Sequence, residues 1–286
     1  MTSEQLAIAF HSACMAELQA IKPGNVHVFA DGHGMTIHDF IKSADVSAAE
    51  IAKPNLSVGE RIFNAVEATQ AAVGLNTNLG IILLCAPLIH AALLPSVDGN
   101  QSLQQRLVYT LNQLSVNDGL LTAQAIMLAN PAGLGSSSVN DVYKLPNVTL
   151  LEMMASAQHR DRIAWQYANN FLDVFDLRIS KYAQAVTKWQ DSSDRGQNRA
   201  WATTALYLSF LARQLDSHVV RKHGEALAKV LMQEAIEMEA IYWATDNPKL
   251  VQKQLLAWDA SLKSRNMNPG TSADLTVATL LVDYFD

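Results

Sequence analysis

The chain is short of cysteine, of charge and of strand-like patterning, and each shortage excludes something. Two cysteines, Cys14 and Cys85, stand among 286 residues. Two cannot build a disulfide framework or a cysteine-rich zinc site, and both lie in apolar runs, where buried, reduced thiols are expected. Charged residues make up only 17%, so little of the chain can be solvated tail. Lysine and arginine (21) are outnumbered by aspartate and glutamate (27), for a net charge of −6. A general nucleic-acid binder carries the opposite excess, so no nucleic-acid partner is expected. No run alternates apolar and polar residues as a half-buried strand does, and no internal repeat is visible. The longest apolar run, Leu79 to Leu94, is interrupted by Pro87 and His90 and is short for a membrane span. The first twenty or so residues lack a basic stretch and contain Glu4 and Glu17, so they do not read as a signal peptide. A cytoplasmic protein with no membrane partner is the expectation.

What remains is an apolar, helix-patterned chain. Hydrophobic residues are 49% of it, enough for a large core. Leu6, Ala9, Phe10, Ala13, Cys14 and Leu18 recur at helical spacing and predict a first helix from about Ser3 to Ala20. Further helices are predicted after Met35, with Thr36 as N-cap and Asp39 as the capping-box acid, and over Ser57–Val73. The apolar stretch from Gly80, Ser102–Leu114 and Val116–Ala129 follow. The same pattern continues as one or two long helices over Leu150–Lys188, then Trp201–Gln214, Ser217–Tyr242, and a last helix capped by Thr271 or Ser272. The predicted class is all-α, a single domain over residues 1–286 with about ten to twelve helices. A polar break at Asp191–Arg199 marks a possible subdomain boundary.

The chain is organised around Glu17–Ala44. His27, His33 and His38 lie there beside Glu17, Lys22, Asp31 and Asp39, on a loop punctuated by Pro23, Gly24, Gly32 and Gly34. Such a backbone is built to turn and can hold charged groups over a cleft; it can equally be a solvated helix connection. Asn76, Thr77 and Asn78 precede Gly80 at the start of an apolar helix, where free N–H groups and the helix dipole favour phosphate. Simple capping by Asn or Thr explains them as well. Pro131–Val142 is a second glycine- and serine-rich loop, ending near Asp141, and lacks the Gly-Lys-Ser/Thr of a phosphate loop. Asp216, His218, Arg221, Lys222 and His223 form the densest local positive charge. A solvated helix start accounts for that cluster, and so does a polyphosphate clamp. Asp274 falls in the first turn of the last helix, where a dipole-favoured acid is ordinary.

Taken in order, these pieces resemble the triphosphoribosyl-dephospho-CoA synthase family. The matching pieces are Lys22-Pro23-Gly24, Met35 with Asp39-Phe40 and Ser43-Ala44, and Asn76-Thr77-Asn78-Leu79-Gly80. Pro131 to Gly135 with Asp141-Val142, and Arg160-Asp161 with Ile163-Ala164, continue the pattern. Asp216-Ser217-His218 with Arg221-Lys222, and Asn268-Pro269-Gly270 with Ala273-Asp274-Leu275, complete it. The resemblance implies an all-α fold and an ATP-dependent triphosphoribosyltransferase. ATP would give its triphosphoribosyl group to the 2′-hydroxyl of dephospho-CoA, or of a related cofactor precursor, and release adenine.

Breaking an N-glycosidic bond builds positive charge on the ribose, which a carboxylate can stabilise, and the acceptor hydroxyl needs a base. Glu17, Asp31 and Asp39 are the candidate carboxylates near the first loop, and Glu17 and Asp39 are assigned to catalysis. Asp31, Asp141 and Asp274 are assigned to Mg²⁺ on the triphosphate. Substrate contacts fall to Lys22, Pro23, Gly24, Asn25 and His27, to Asn76, Asn78 and Gly80, to Gly133 and Gly135, and to His218, Arg221 and Lys222.

Three departures separate this chain from the family pattern, the first of them from the members serving citrate lyase. Asn78-Leu79 stand where His-Lys is expected, Gly34 stands where an Asp precedes the Met, and Asn25-Val26-His27 replace Leu-Val-Asp. Asn-Thr-Asn-Leu-Gly is similar instead to the branch in archaea and in bacteria using methanopterin-type cofactors. A related enzyme of one-carbon cofactor assembly and a nucleotide-binding protein without turnover therefore remain alternatives. A homodimer is possible through the apolar C-terminal helices.

Overall fold

The structure, a computed structural model, describes residues 1–95, 101–131, 142–145, 147–190 and 198–285. Among them no strand forms; two isolated bridges, His27 with Ala30 and Gly32 with Met35, are the only β pairing. The expected all-α class holds. The helices are α1 (Ser3–Gln19), α2 (Ile37–Ile51), α3 (Val58–Val73), α4 (Leu79–Leu93), α5 (Leu103–Asn112) and α6 (Val116–Ala129). Then come α7 (Leu150–Ala157), α8 (Arg162–Ala168), α9 (Leu172–Leu177), a π-helical turn over Arg178–Ala183, and α10 (Gln184–Lys188). The C-terminal part holds α11 (Asn198–Arg213), α12 (Ser217–His223), α13 (Glu225–Ala244), α14 (Gln252–Ser264) and α15 (Gly270–Asp283).

The helices are more numerous than predicted because two long patterns are cut and because α14 adds a helix that the periodicity does not predict. Leu150–Lys188 breaks before Asp161, the N-cap of α8, and again at Asn170 and Phe171, whose φ values of 53° and 57° no right-handed helix accepts. The predicted Ser217–Tyr242 helix breaks at Gly224, φ 84°. The predicted break at Asp191–Arg199 lies largely outside the described residues.

The chain falls into two compact units. The first is Met1–Ser12, His38–Leu172 and Tyr284–Asp286; the second is Ala13–Ile37 and Asp173–Asp283. In the first unit, α3 packs on α6 and α4 packs on α3, α5 and α8. Its core helix α4 continues past Pro87, which has no N–H for the Leu83 carbonyl. The buried Tyr167 hydroxyl donates to that carbonyl at 2.5 Å, so the helix keeps its proline without an unsatisfied acceptor. Asp118 ties two helix starts: one oxygen accepts from Gly59 N of α3 at 2.7 Å, the other from Ser115 N before α6 at 2.8 Å. Burial pushes the Asp118 carboxyl up, but bonds from Ser115 and Gly59 outweigh it and hold it below the usual range.

The second unit is built on α11, against which α13, α15 and the π-helical turn pack. Here too one carboxylate joins two helix starts. Asp216 Oδ1 accepts from His218 N and Val219 N of α12, and Oδ2 accepts from Ser272 N at 2.8 Å and Ser272 Oγ at 2.9 Å in α15. Thr271 and Ser272, read as caps, lie within α15, and the shared cap belongs to Asp216. No described helix is long and apolar enough to cross a membrane. Both cysteines are buried thiols.

Candidate active site

The Lys-Pro-Gly loop belongs to the second unit and is tied down from within it. Glu17 sits near the end of α1, and its carboxylate pairs with the Lys22 ammonium; the side chains are 4% and 1% exposed. Lys22 Nζ also reaches Asn25 Oδ1 at 3.4 Å, and Asn25 Nδ2 donates to Asn268 Oδ1 at 2.8 Å. Burial raises the Glu17 carboxyl and lowers the Lys22 ammonium, each opposed by the partner's charge, and Asp274 lies close enough to favour the Lys22 cation. Both groups are thus pressed toward neutrality and held by one another. Buried Tyr207 donates to Pro23 O at 2.7 Å.

Gly24 is the pivot. Its φ is 87°, and a Cβ there would stand 2.8 Å from Pro269 Cδ and 3.0 Å from Met267 O, so no other residue fits. Its N–H donates to Asp259 Oδ1 at 2.8 Å. Asp259 Oδ2 takes Lys263 Nζ at 3.0 Å and stands 3.4 Å from His27 Nε2. The His27 contact is electrostatic rather than a well-formed hydrogen bond, and Nδ1 of that ring accepts from Phe29 N at 3.3 Å. Burial lowers the His27 imidazole, opposed by Asp259. Burial raises Asp259, but its neighbours His27, Lys263 and Gly24 N–H win and hold it low. Lys263 also donates to Ala30 O at 3.1 Å, so one turn of α14 holds both Gly24 and Ala30.

Two tight turns follow. His27 and Ala30 exchange backbone bonds of 3.2 and 2.9 Å, and Gly32 and Met35 exchange bonds of 3.2 and 3.0 Å. His33 and Gly34, the centre of the second turn, have φ of 57° and 75°, the signs of a type I′ turn. The Gly34 departure therefore has a local reason: the turn asks for a left-handed residue there. Asp31 Oδ1 accepts from Ile37 N at 2.8 Å, the first residue of α2.

Of the other predicted residues in this unit, His218 packs on Gly270 at the start of α15. Burial, then the positive charges of Arg221, Lys222, His33 and His223, push its imidazole down to about 4. Lys222 Nζ donates to Asn266 Oδ1 at 3.2 Å. The second unit thus gathers Glu17, Lys22, Pro23, Gly24, Asn25, His27, Asp31, His218, Arg221, Lys222 and Asp274.

The remaining described residues belong to the first unit and form their own hydroxyl-rich cluster. Asp39 is in the first turn of α2, and its carbonyl accepts from Ser43 Oγ at 2.6 Å. Ser43 Oγ meets Thr77 Oγ1 at 2.6 Å, and Asn78 Nδ2 donates to Ser47 Oγ at 3.2 Å. Asn76 Oδ1 takes Leu79 N at 3.3 Å, so Asn76 supplies the cap that Asn78, the N-cap residue, does not. Gly80 is the second residue of α4. Gly133, Gly135 and Asp141 lie outside the described residues.

The reading of the sequence did not single out Asp259, Lys263 or Asn266. Asp259 had a signal: it interrupts the buried stripe of α14, four residues after Leu255 and three before Leu262, where an apolar side chain belongs. Among the described residues, no three His, Cys, Asp or Glu side chains gather as a metal site. Mg²⁺ on a polyphosphate needs only one or two carboxylates, and Asp274 beside Lys22 and the exposed Asp31 are of the right chemistry for it.

Residues 3–286 match the model of the family described as CitG, ATP:dephospho-CoA triphosphoribosyl transferase. The fold is similar to the crystal structure of a protein from Archaeoglobus fulgidus, provisionally named a triphosphoribosyl-dephospho-CoA synthase. That likeness has a TM-score of 0.62 at 21% identity and covers 85% of this chain and 96% of that one, so it speaks to the fold. No curated protein matches the sequence.

Proposed function

The chain belongs to the ATP:dephospho-CoA triphosphoribosyl transferase family, and from that premise we propose how its residues divide the work. The activity is transfer of the triphosphoribosyl group of ATP to dephospho-CoA. The bond from ribose C1′ to adenine breaks, the acceptor hydroxyl oxygen bonds to C1′, and its proton must leave.

The observation that carries the site assignment is the burial of Glu17 with Lys22. A buried ion pair is poor value as a stabilising device, since desolvation consumes most of its attraction, and perturbed buried pairs concentrate at functional sites. In this reading Glu17 takes the acceptor proton, a task suited to a carboxylate whose affinity for protons is raised by burial. Lys22 and Asn25 hold it in place, and the Gly24–Asp259 bond fixes the loop that carries them. Asp39, in the first unit, is the candidate carboxylate there, of the chemistry that stabilises positive charge on a ribose. Pro23 and His27 belong to the loop's substrate-binding set together with His218, Arg221 and Lys222 of the same unit, while Asn76, Asn78 and Gly80 are a separate candidate set in the first unit. Asp31 and Asp274 would hold Mg²⁺, which when bound neutralises phosphate charge. Use of ATP as donor supports a cytoplasmic setting. Exposed Leu227, Val230 and Ile241 on α13 support a homodimer.

The test is Glu17→Gln, followed by adenine release. Loss of about a hundredfold or more in turnover with ATP binding retained is expected. Unchanged turnover would remove Glu17 from the chemistry. Offering dephospho-CoA beside pterin and furan cofactor precursors identifies the acceptor.

A further inference from the structure

A chain of side-chain contacts runs from the turn before α15 to the buried ion pair at the end of α1. Asn268 Oδ1 accepts from Asn25 Nδ2 at 2.8 Å, Asn25 Oδ1 faces Lys22 Nζ at 3.4 Å, and Lys22 pairs with Glu17. All four side chains are buried, and all four belong to the second unit. The lysine sets the sense of the whole chain. An ammonium only donates, so the Asn25 atom that faces it is the oxygen. The amide nitrogen of Asn25 then faces Asn268 and needs an acceptor, which Asn268 supplies with its own oxygen. Turning either amide over would set donor against donor at one of the two contacts.

Anchoring of the loop does not by itself account for this arrangement. The Lys-Pro-Gly backbone is already held at neighbouring positions: Tyr207 donates to Pro23 O at 2.7 Å, and Gly24 N donates to Asp259 Oδ1 at 2.8 Å. Asn25 N itself bonds back to Lys22 O at 2.9 Å. What Asn268 fixes is the direction of a side-chain dipole, and the negative end of that dipole points at the charge paired with Glu17. Without Asn268 the Asn25 amide is free to present either end to the ammonium. With its nitrogen there, two donors meet and Lys22 is pushed from its place beside Glu17.

We propose that Asn268 is a positioning residue for the transfer: acting through Asn25, it holds the Lys22 ammonium beside Glu17 in the geometry that the reaction uses. The inference rests on the reading that puts Glu17 and Lys22 at the reaction. Asn268 acts at one remove, and no covalent bond forms or breaks at it.

Steady-state kinetics of adenine release by the full chain, with ATP, Mg²⁺ and dephospho-CoA, test it. Asn268→Leu removes the acceptor at similar volume, and circular dichroism checks the fold. Should that variant not fold, Asn268→Ser, too short to reach Asn25, takes its place. Tyr242→Phe is the control for lost stability, since it deletes a buried 3.0 Å bond to Trp201 O elsewhere in the same unit. Expected is a kcat lowered about tenfold or more in the Asn268 variant, with the KM for ATP changed less than about threefold, and an unchanged kcat in the control. Because Asn268 acts through Asn25, its replacement should lower kcat no further in an Asn25→Ala background. Losses that multiply in the double variant, a loss confined to KM, or an unchanged kcat in the Asn268 variant overturns the proposal. The reading beneath it is tested apart by Glu17→Gln. Turnover lost in Glu17→Gln but kept in the Asn268 variant sinks the positioning role and leaves the reading standing. Full turnover in Glu17→Gln, with non-additive kcat losses at Asn268 and Asn25, sinks Glu17 as the base and leaves Asn268 positioning Lys22.

Discussion

The backbone N–H of Gly24 donates to Asp259 at 2.8 Å, joining residues 235 apart in the chain. The same carboxylate holds Lys263, which in turn holds Ala30 O. The loop that carries Lys22 and Asn25 is thus fixed by one acid on α14. Replacing Asp259 with Asn takes away the anion between Lys263 and His27 and leaves buried donors poorly matched. A loss of about 2–4 kcal/mol in urea unfolding is expected. A loss under about 1 kcal/mol would mean that the loop is held elsewhere.

The Glu17–Lys22 pair should behave as a unit. Lys22→Met strands a buried carboxylate and should cost about 3–5 kcal/mol, whereas Lys22→Met combined with Glu17→Gln should recover most of it. A double-mutant cycle in denaturant measures the coupling. Simple additivity would show that the two charges do not depend on one another.

Tyr167 should matter to stability alone. Tyr167→Phe leaves the Leu83 carbonyl, opposite the ring of Pro87, without a donor, at a cost of about 1–3 kcal/mol. Thermal unfolding reads this, and kcat should not change. Restoring a normal residue with Pro87→Ala in the same background should return part of the loss.

His218 gives the fold a pH dependence of defined sign. Its folded value is about 4 against an ordinary 6.5, so between those values the unfolded chain binds more protons than the folded one. Stability contributed by this group is full above 6.5 and falls as pH drops toward 4, by at most about 3 kcal/mol. Denaturant unfolding across that window should show a shallower pH slope for His218→Gln. An identical slope would contradict the assignment.

What the sequence makes legible follows from the range of the interactions. The α1 stripe of Leu6, Phe10, Ala13, Cys14 and Leu18 is local periodicity, and all of it is buried as read. Lys22-Pro23-Gly24 reads as a turn from its own residues, and its glycine does take a left-handed backbone. The breaks at Asn170–Phe171 and Gly224 are single-residue backbone choices inside helical patterns, and the pattern conceals them. Asp259 stays hidden for another reason: its meaning lies in Gly24, His27 and Ala30, whose approach only the folded chain creates. The cap of α15 is similar, since Asp216 supplies from another helix what Thr271 and Ser272 promise locally. Gly34 shows the reverse case, where a residue missing from a family pattern is explained by the turn it occupies.

Adenine release tests the central claim most directly. Purified protein is incubated with ATP, Mg²⁺ and dephospho-CoA, and free adenine is quantified by chromatography. The account predicts adenine in proportion to a triphosphoribosylated acceptor, and none when dephospho-CoA is withheld. Adenine formed equally without an acceptor, or no adenine while ATP is bound, would contradict it.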